Sequence, residues 1–151
     1  YRKPDLKMEV PIGLYEVEIG KANIVKDGSD VTLVAWSGMV PTALEAAETI
    51  NNDGISVEVI DLRSIFPIDE ETILKSVEKT GRVVIVHEGP KNSGFGGEIS
   101  ARINEKGLDF LEAPVLRVTG FDTGLPFFKR ENEYIPSQKR IMNGIKKVLE
   151  Y

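Results

Sequence analysis

The stretch RVVIVHEGPKNSGFGGE, Arg82 to Glu98, carries more information about the fold than any other part of the sequence. Val83 to Val86 is an unbroken apolar run, the pattern of a strand covered on both faces in a parallel sheet. The run ends on His87, the only histidine, followed by Glu88 and a glycine-rich loop. Ile99 and Ile103 then stand one helical turn apart, so an amphipathic helix follows. Strand, glycine loop and helix N-terminus is the place where open α/β sheets keep small ligands.

Working outward, Val57 to Leu62 and Pro114 to Thr119 read as further strands. Three more helices come from apolar stripes at helical spacing: Val40, Ala43, Leu44, Ala47 and Ile50; Ile73, Leu74 and Val77; and Ile141, Met142, Ile145, Val148 and Leu149. Their ends are punctuated. Asn51-Asn52-Asp53-Gly54 stops the first, Pro67 and Asp69 open the second with Gly81 closing it, and Ser137 opens the last. Lys21 to Val25 and Val31 to Trp36 are β-like runs flanking KDGSD, and Asp27-Gly28 predicts a hairpin at the sheet edge. Residues 1–20 hold Pro4, Pro11 and two glycines without a period and read as an extended arm along another domain. Residues 21–151 form the domain. The strand–helix alternation predicts an α/β fold with a mostly parallel five-stranded sheet, helices on both faces and an antiparallel edge hairpin.

The bulk numbers narrow the function. The 151 residues suit one domain, and 19 basic against 24 acidic residues leave a net charge of −5, which argues against nucleic acid or anionic membrane as partner. Cysteine is absent, so thiolate metal sites, disulfides and cysteine nucleophiles are excluded. No apolar run approaches a membrane span, and no stretch reads as a signal peptide. The chain starts on Tyr1 with linker-like residues, so a fragment of a longer protein is expected.

Four groups of residues are candidates for chemistry or recognition. Gly94-Phe95-Gly96-Gly97 fails both the dinucleotide and the phosphate-loop patterns, leaving a helix N-terminus able to hold an anion, or glycines that permit close backbone approach; the second reading is preferred. His87 could be a general base, but Glu88, its neighbour on the strand, points to the opposite face and cannot orient it; a structural histidine is the better reading. Asp61 and Arg63 share a side at a strand end, as ligand anchors or as a rim salt bridge. The segment 121–128, FDTGLPFF, places Phe121, Leu125, Phe127 and Phe128 on an irregular stretch, which suits an interface. No convincing catalytic constellation results.

The succession IGKANIV, DVTLVAWSGMVPTALEAAE, ISVEVIDLRSIFPID, TGRVVIVHEGPKNSGFGGEI, APVLRVTG and EYIPS resembles the C-terminal domain of the transketolase-like superfamily, closest to the β subunit of the decarboxylating component of 2-oxo-acid dehydrogenase complexes. The resemblance implies a three-layer α/β/α domain. It also implies a whole enzyme that uses thiamine diphosphate and Mg²⁺ to decarboxylate pyruvate or a branched-chain 2-oxo acid and passes the acyl group to lipoyl-lysine. The activating glutamate would lie in a preceding domain, and the diphosphate and metal site in an α subunit, so this chain would hold no catalytic, cofactor or metal residue. Its implied partners are the α subunit, a second β subunit and the peripheral subunit-binding domain of the acyltransferase, in the cytoplasm or, in a eukaryote, the mitochondrial matrix. Asp61 and Arg63 match the family's D-L-R element. His87, Glu88, Gly94, Phe95, Gly96, Gly97 and Glu98 match its H-E-x-x-x-x-x-G-F-G-x-E block, with structural and intersubunit roles expected. Phe121, Asp122, Leu125, Phe127, Phe128, Tyr134 and Tyr151 are the expected partner-binding residues, although PFFKRENEY departs from the family's P-x-x-P-x-x-E. A transketolase or deoxyxylulose-phosphate synthase domain, or a stand-alone anion-binding domain, are the alternatives; E-Y-I-P-S before the last helix argues against the first pair.

Overall fold

The computed structural model describes Glu9, residues 11–124, Pro126 and residues 130–151. Five strands, β1 (Asn23–Lys26), β2 (Val31–Ala35), β3 (Val57–Asp61), β4 (Val83–Pro90) and β5 (Leu116–Gly120), form one sheet in the order β1-β3-β2-β4-β5. The last four are parallel, and β1 is antiparallel to β3. Helices α1 (Met39–Asn51) and α5 (Gln138–Val148) lie together on one face; α2 (Glu70–Thr80) and α3 (Gly96–Gly107) cover the other. A short helix, α4 (Glu131–Tyr134), interrupts the segment expected to be irregular.

The expected hairpin is corrected by this topology. β1 does not pair with β2; β3 lies between them. Residues 27–30 cross the start of β3, with the N–H groups of Ser29 and Asp30 donating to the Ser56 carbonyl and the Ser56 N–H donating to the Asp30 carboxylate at 2.8 Å. Gly28 lies on the Val57–Glu58 backbone so closely that a Cβ there would collide with it. Asp-Gly here serves a close crossing rather than a two-residue turn.

Every side chain of β2 is buried, as are Val57 to Ile60 and Val83 to His87. Alternation along the strands divides the core in two. Leu33, Val59, Val84 and Val86 meet Ala43, Ala47 and Ile50 of α1 and Ile141, Ile145 and Val148 of α5. Val34, Ile60 and Ile85 meet Ile73 and Val77 of α2 and Ile99 and Ile103 of α3. Asp69 caps α2 by accepting from the Thr72 N–H at 3.2 Å, and Gly81 ends it in the left-handed region at φ 64°. Ser137 caps α5 by accepting from the Arg140 N–H.

A polar network lies inside the second layer. Thr32 on β2 bonds Ser76 at 2.6 Å and Thr80 at 2.7 Å, and Ser76 donates to Glu58 at 2.5 Å. Glu58, 1% exposed, is neutralised by an ion pair with Lys79 of α2, whose side chain is half in solvent.

Candidate functional site

The chain leaves β2 to build α1 on one face and leaves β4 to build α3 on the other. Because β2 and β4 are neighbours, their carboxyl ends diverge and open a crevice, the topological switch point of the sheet. A cleft of about 360 Å³ lies there. Trp36 and Ser37 line it from β2, His87, Glu88 and Gly89 from β4, and Gly94 and Phe95 from the loop into α3. Ser37 at its lip holds a left-handed backbone, φ 55°, and so does Ser93 in the opposite loop at φ 57°.

His87 is the centre of this arrangement. It is 3% exposed, its ring stacks on Trp36 with centroids 5.2 Å apart, and Phe95 meets Trp36 edge-on at 5.9 Å. Gly96 leaves room for that ring, and Gly94 for the ring and the Pro90 carbonyl. A Cβ at Gly96 would stand 2.7 Å from His87 Cδ2 and Nε2, and one at Gly94 would stand 2.5 Å from Cε1. Gly94 and Gly96 thus lie against the imidazole, Gly94 also against the Pro90 carbonyl. His87 Nε2 is buried without a hydrogen-bond partner among the described residues. Burial, reinforced by the Arg117 guanidinium, holds the imidazole below its ordinary pKa, so it is neutral at pH 7. Glu88 is exposed at the mouth of the cleft and makes no hydrogen bond to the His87 ring.

The remaining expected residues scatter around this edge. Asp61 and Arg63 form no salt bridge; Asp61 Oδ1 accepts from the Arg63 N–H at 3.0 Å, and Arg63 is exposed with φ 54°, so the carboxylate shapes a turn instead. Glu98, in the first turn of α3, pairs with Arg102 one turn on at 2.8 Å. A Cβ at Gly97 would come no closer than 3.4 Å to Arg117 Nη1, so this glycine is not needed for space. Asp122 accepts from the Asn92 N–H at 2.7 Å and ties the glycine loop to the end of β5. Phe121 is half exposed beneath the Arg140 guanidinium, 4.4 Å from its ring centre, and Tyr151 is exposed. Tyr134 departs from expectation: it is buried at 6% exposure against Gly120 and Phe121, because the turn of α4 rotates it inward, so it presents no side chain to a partner. Leu125, Phe127 and Phe128 lie outside the described residues. Trp36, Ser37 and Arg117 join the site without having been singled out in the sequence. Trp36, the only tryptophan at the end of an apolar run, was the available signal.

A three-layer α/β/α domain with this strand order and a glycine-floored crevice at the switch point defines the class. The family profile for the transketolase C-terminal domain matches residues 20–141, and the chain belongs to that family. It is 46% identical over 143 residues to the pyruvate dehydrogenase E1 component subunit beta of Staphylococcus epidermidis, covering 95% of this chain and 44% of the relative. It is 42% identical over 145 residues to the Bacillus subtilis protein of the same name, covering 96% and 45%. The chain thus spans less than half the length of these relatives. Among solved structures, an inactive β4 tetramer of a split-gene transketolase superimposes with a TM-score of 0.78 at 29% identity, over 90% of this chain and 44% of that one. A 2-oxoglutarate:ferredoxin oxidoreductase from Magnetococcus marinus shares the fold, with a TM-score of 0.57 at 16% identity, over 85% of this chain and 19% of that one.

Proposed function

We propose that this chain is the C-terminal domain of the β subunit of a pyruvate dehydrogenase E1 component and serves assembly, with the chemistry carried elsewhere in the enzyme. The observation that carries this reading is the identity of 42–46% with such subunits across almost all of the chain. In this reading the complete enzyme decarboxylates pyruvate with thiamine diphosphate and Mg²⁺ and passes the acetyl group to a lipoyl-lysine. The residues here do not fit that cofactor. Among the described residues no three His, Asp or Glu side chains cluster as a metal site, and Glu88 is the one carboxylate lining the cleft. The surface, by contrast, suits association. Ile12, Leu14 and Ile19 of the arm and Phe66 after β3 are almost fully exposed, an arrangement suited to burial against a preceding domain or a neighbouring subunit. Arg63, three positions before Phe66, is exposed as well.

The test uses the full-length β subunit with its α subunit. Pyruvate-dependent decarboxylation by the pair, with none from this chain alone, is the expected result. Transfer of two-carbon ketol units between sugar phosphates, with pyruvate ignored, would place the chain among transketolases and overturn the assignment.

A further inference from the structure

We propose that Asp53–Gly54, between α1 and β3, is a covalent modification site at which the folded chain converts an aspartyl to an isoaspartyl linkage. The product carries a free α-carboxylate, the group that a repair-type protein carboxyl methyltransferase recognises. The inference goes beyond the pyruvate dehydrogenase reading and does not rest on it.

The reaction needs only the backbone and water. The glycine nitrogen attacks Cγ of the preceding Asp or Asn. An N–Cγ bond forms, the bond from Cγ to the leaving oxygen or nitrogen breaks, and water or ammonia departs with the amide proton. Water then opens the cyclic imide. Opening at the Cα carbonyl leaves the main chain running through Cγ, one methylene longer, with nothing oxidised or reduced. Glycine hinders the attack least, because it has no Cβ. The nitrogen must swing toward Cγ, out of helical or pinned geometry, so local opening controls the rate.

Three pairs in the sequence qualify: Asp27–Gly28, Asp53–Gly54 and Asn143–Gly144. Ammonia leaves an amide more readily than water leaves a carboxyl group, so chemistry without a fold favours Asn143–Gly144. The fold reverses that order. Gly144 is buried inside α5, its N–H in the helix ladder, and a Cβ there would stand 2.8 Å from Val118 Cγ2. Gly28 is pinned on the Val57–Glu58 backbone, and the next two N–H groups both donate to the Ser56 carbonyl.

Residues 51–54 are different, for all four are exposed and α1 ends at Asn51. Gly54 has φ 81°, and no atom lies within 4 Å of where its Cβ would be. Its N–H donates to the Asn51 carbonyl at 3.0 Å, a bond at a helix end, where fraying costs least. Among the described residues the Asp53 side chain is tied only to Lys146 of α5, at 2.8 Å, with both side chains half exposed. Such a surface pair restrains it weakly. Conversion moves this carboxylate onto the backbone branch and separates the end of α1 from Lys146.

The full chain is aged in warm neutral buffer, folded in one sample and in denaturing urea in another. Isoaspartate is read with a repair-type isoaspartyl methyltransferase and labelled S-adenosylmethionine, the labelled peptides being located by mass spectrometry. In the folded chain, isoaspartate at Asp53 should form at least about tenfold faster than at Asp27 or Asn143, whereas in urea Asn143 should lead. Asp53→Glu keeps the charge opposite Lys146 but requires a larger ring, and should remove most of the label from the folded chain. Equal rates at the three pairs in the folded chain would overturn the proposal. So would Asp53 leading in urea as well, label retained in Asp53→Glu, or no isoaspartate at Asp53 while the urea sample reacts.

Discussion

His87 shows how one residue sets the sequence around it. Its ring fills the space between Trp36 and the backbone of Gly94 and Gly96, so Gly96 is a steric consequence of the imidazole, while Gly94 is required by the Pro90 carbonyl as well. Gly96→Ala should therefore lower thermal stability by about 1–3 kcal/mol, because overpacked cores relax only partly. In Gly96→Ala combined with His87→Ala, the two costs should fall well short of additive by denaturant melts, since the added methyl would occupy space the ring vacates. Burial and the Arg117 charge hold the imidazole below its ordinary pKa, so the unfolded chain takes up its proton before the folded one does. That contribution to stability is complete above about pH 6.5 and is lost as pH falls from there through the folded-state value. Urea midpoints measured from pH 7.5 downward should show this loss, and His87→Phe should remove it.

At the scale of elements, α2 is positioned by polar groups at both ends. Asp69 caps it and also accepts from the Ala22 N–H at 3.0 Å, joining the helix to the entry of β1. Burial pushes the Asp69 carboxyl up, but the hydrogen bonds from Ala22 and Thr72 outweigh this and leave it below the ordinary value. Asp69→Ala should cost about 1–2 kcal/mol in chemical denaturation at pH 7, and the difference from wild type should shrink as pH falls toward 3. The network beneath α2 is asymmetric: Glu58 is 1% exposed, whereas the Lys79 side chain is 44% exposed. Lys79→Met strands a buried carboxylate and should cost about 3 kcal/mol or more; Glu58→Gln leaves an ammonium that water can solvate and should cost less. The reverse order of melting temperatures would mean that water reaches Glu58.

For the whole molecule, exposure changes sharply where the chain reaches the sheet. Residues 11–19 are exposed throughout and belong to no strand or helix; from Gly20 onward the chain is held, with Gly20 against Pro67 and Ala22 bonded to Asp69. Deleting residues 1–18 should shift the melting temperature of the chain by no more than about 2 °C, because the described residues among them, Glu9 and 11–18, are all exposed. A large destabilisation of the isolated domain would show that the arm packs on this domain rather than beyond it.

What was legible in the sequence was local and periodic. Apolar runs from Val31, Val57 and Val83 gave strands buried on both faces, and stripes such as Ile141, Ile145 and Val148 gave helices, because burial repeats with the period of the backbone. Caps at Asp69, Gly81 and Ser137 were equally readable, since each is a contact within a few residues. Asp27-Gly28 misled, because a glycine needed for a turn and a glycine needed for a crossing look alike until the neighbouring strand is placed. Tyr134 misled because its burial depends on Gly120 at the end of β5. By itself the sequence determined the family, the layers and the position of the glycine loop after β4. Only the tertiary structure could decide that Trp36 and His87, fifty-one positions apart, stack across a crevice. That follows from strand order, which is set by which strand pairs with which and leaves no periodic trace in the chain.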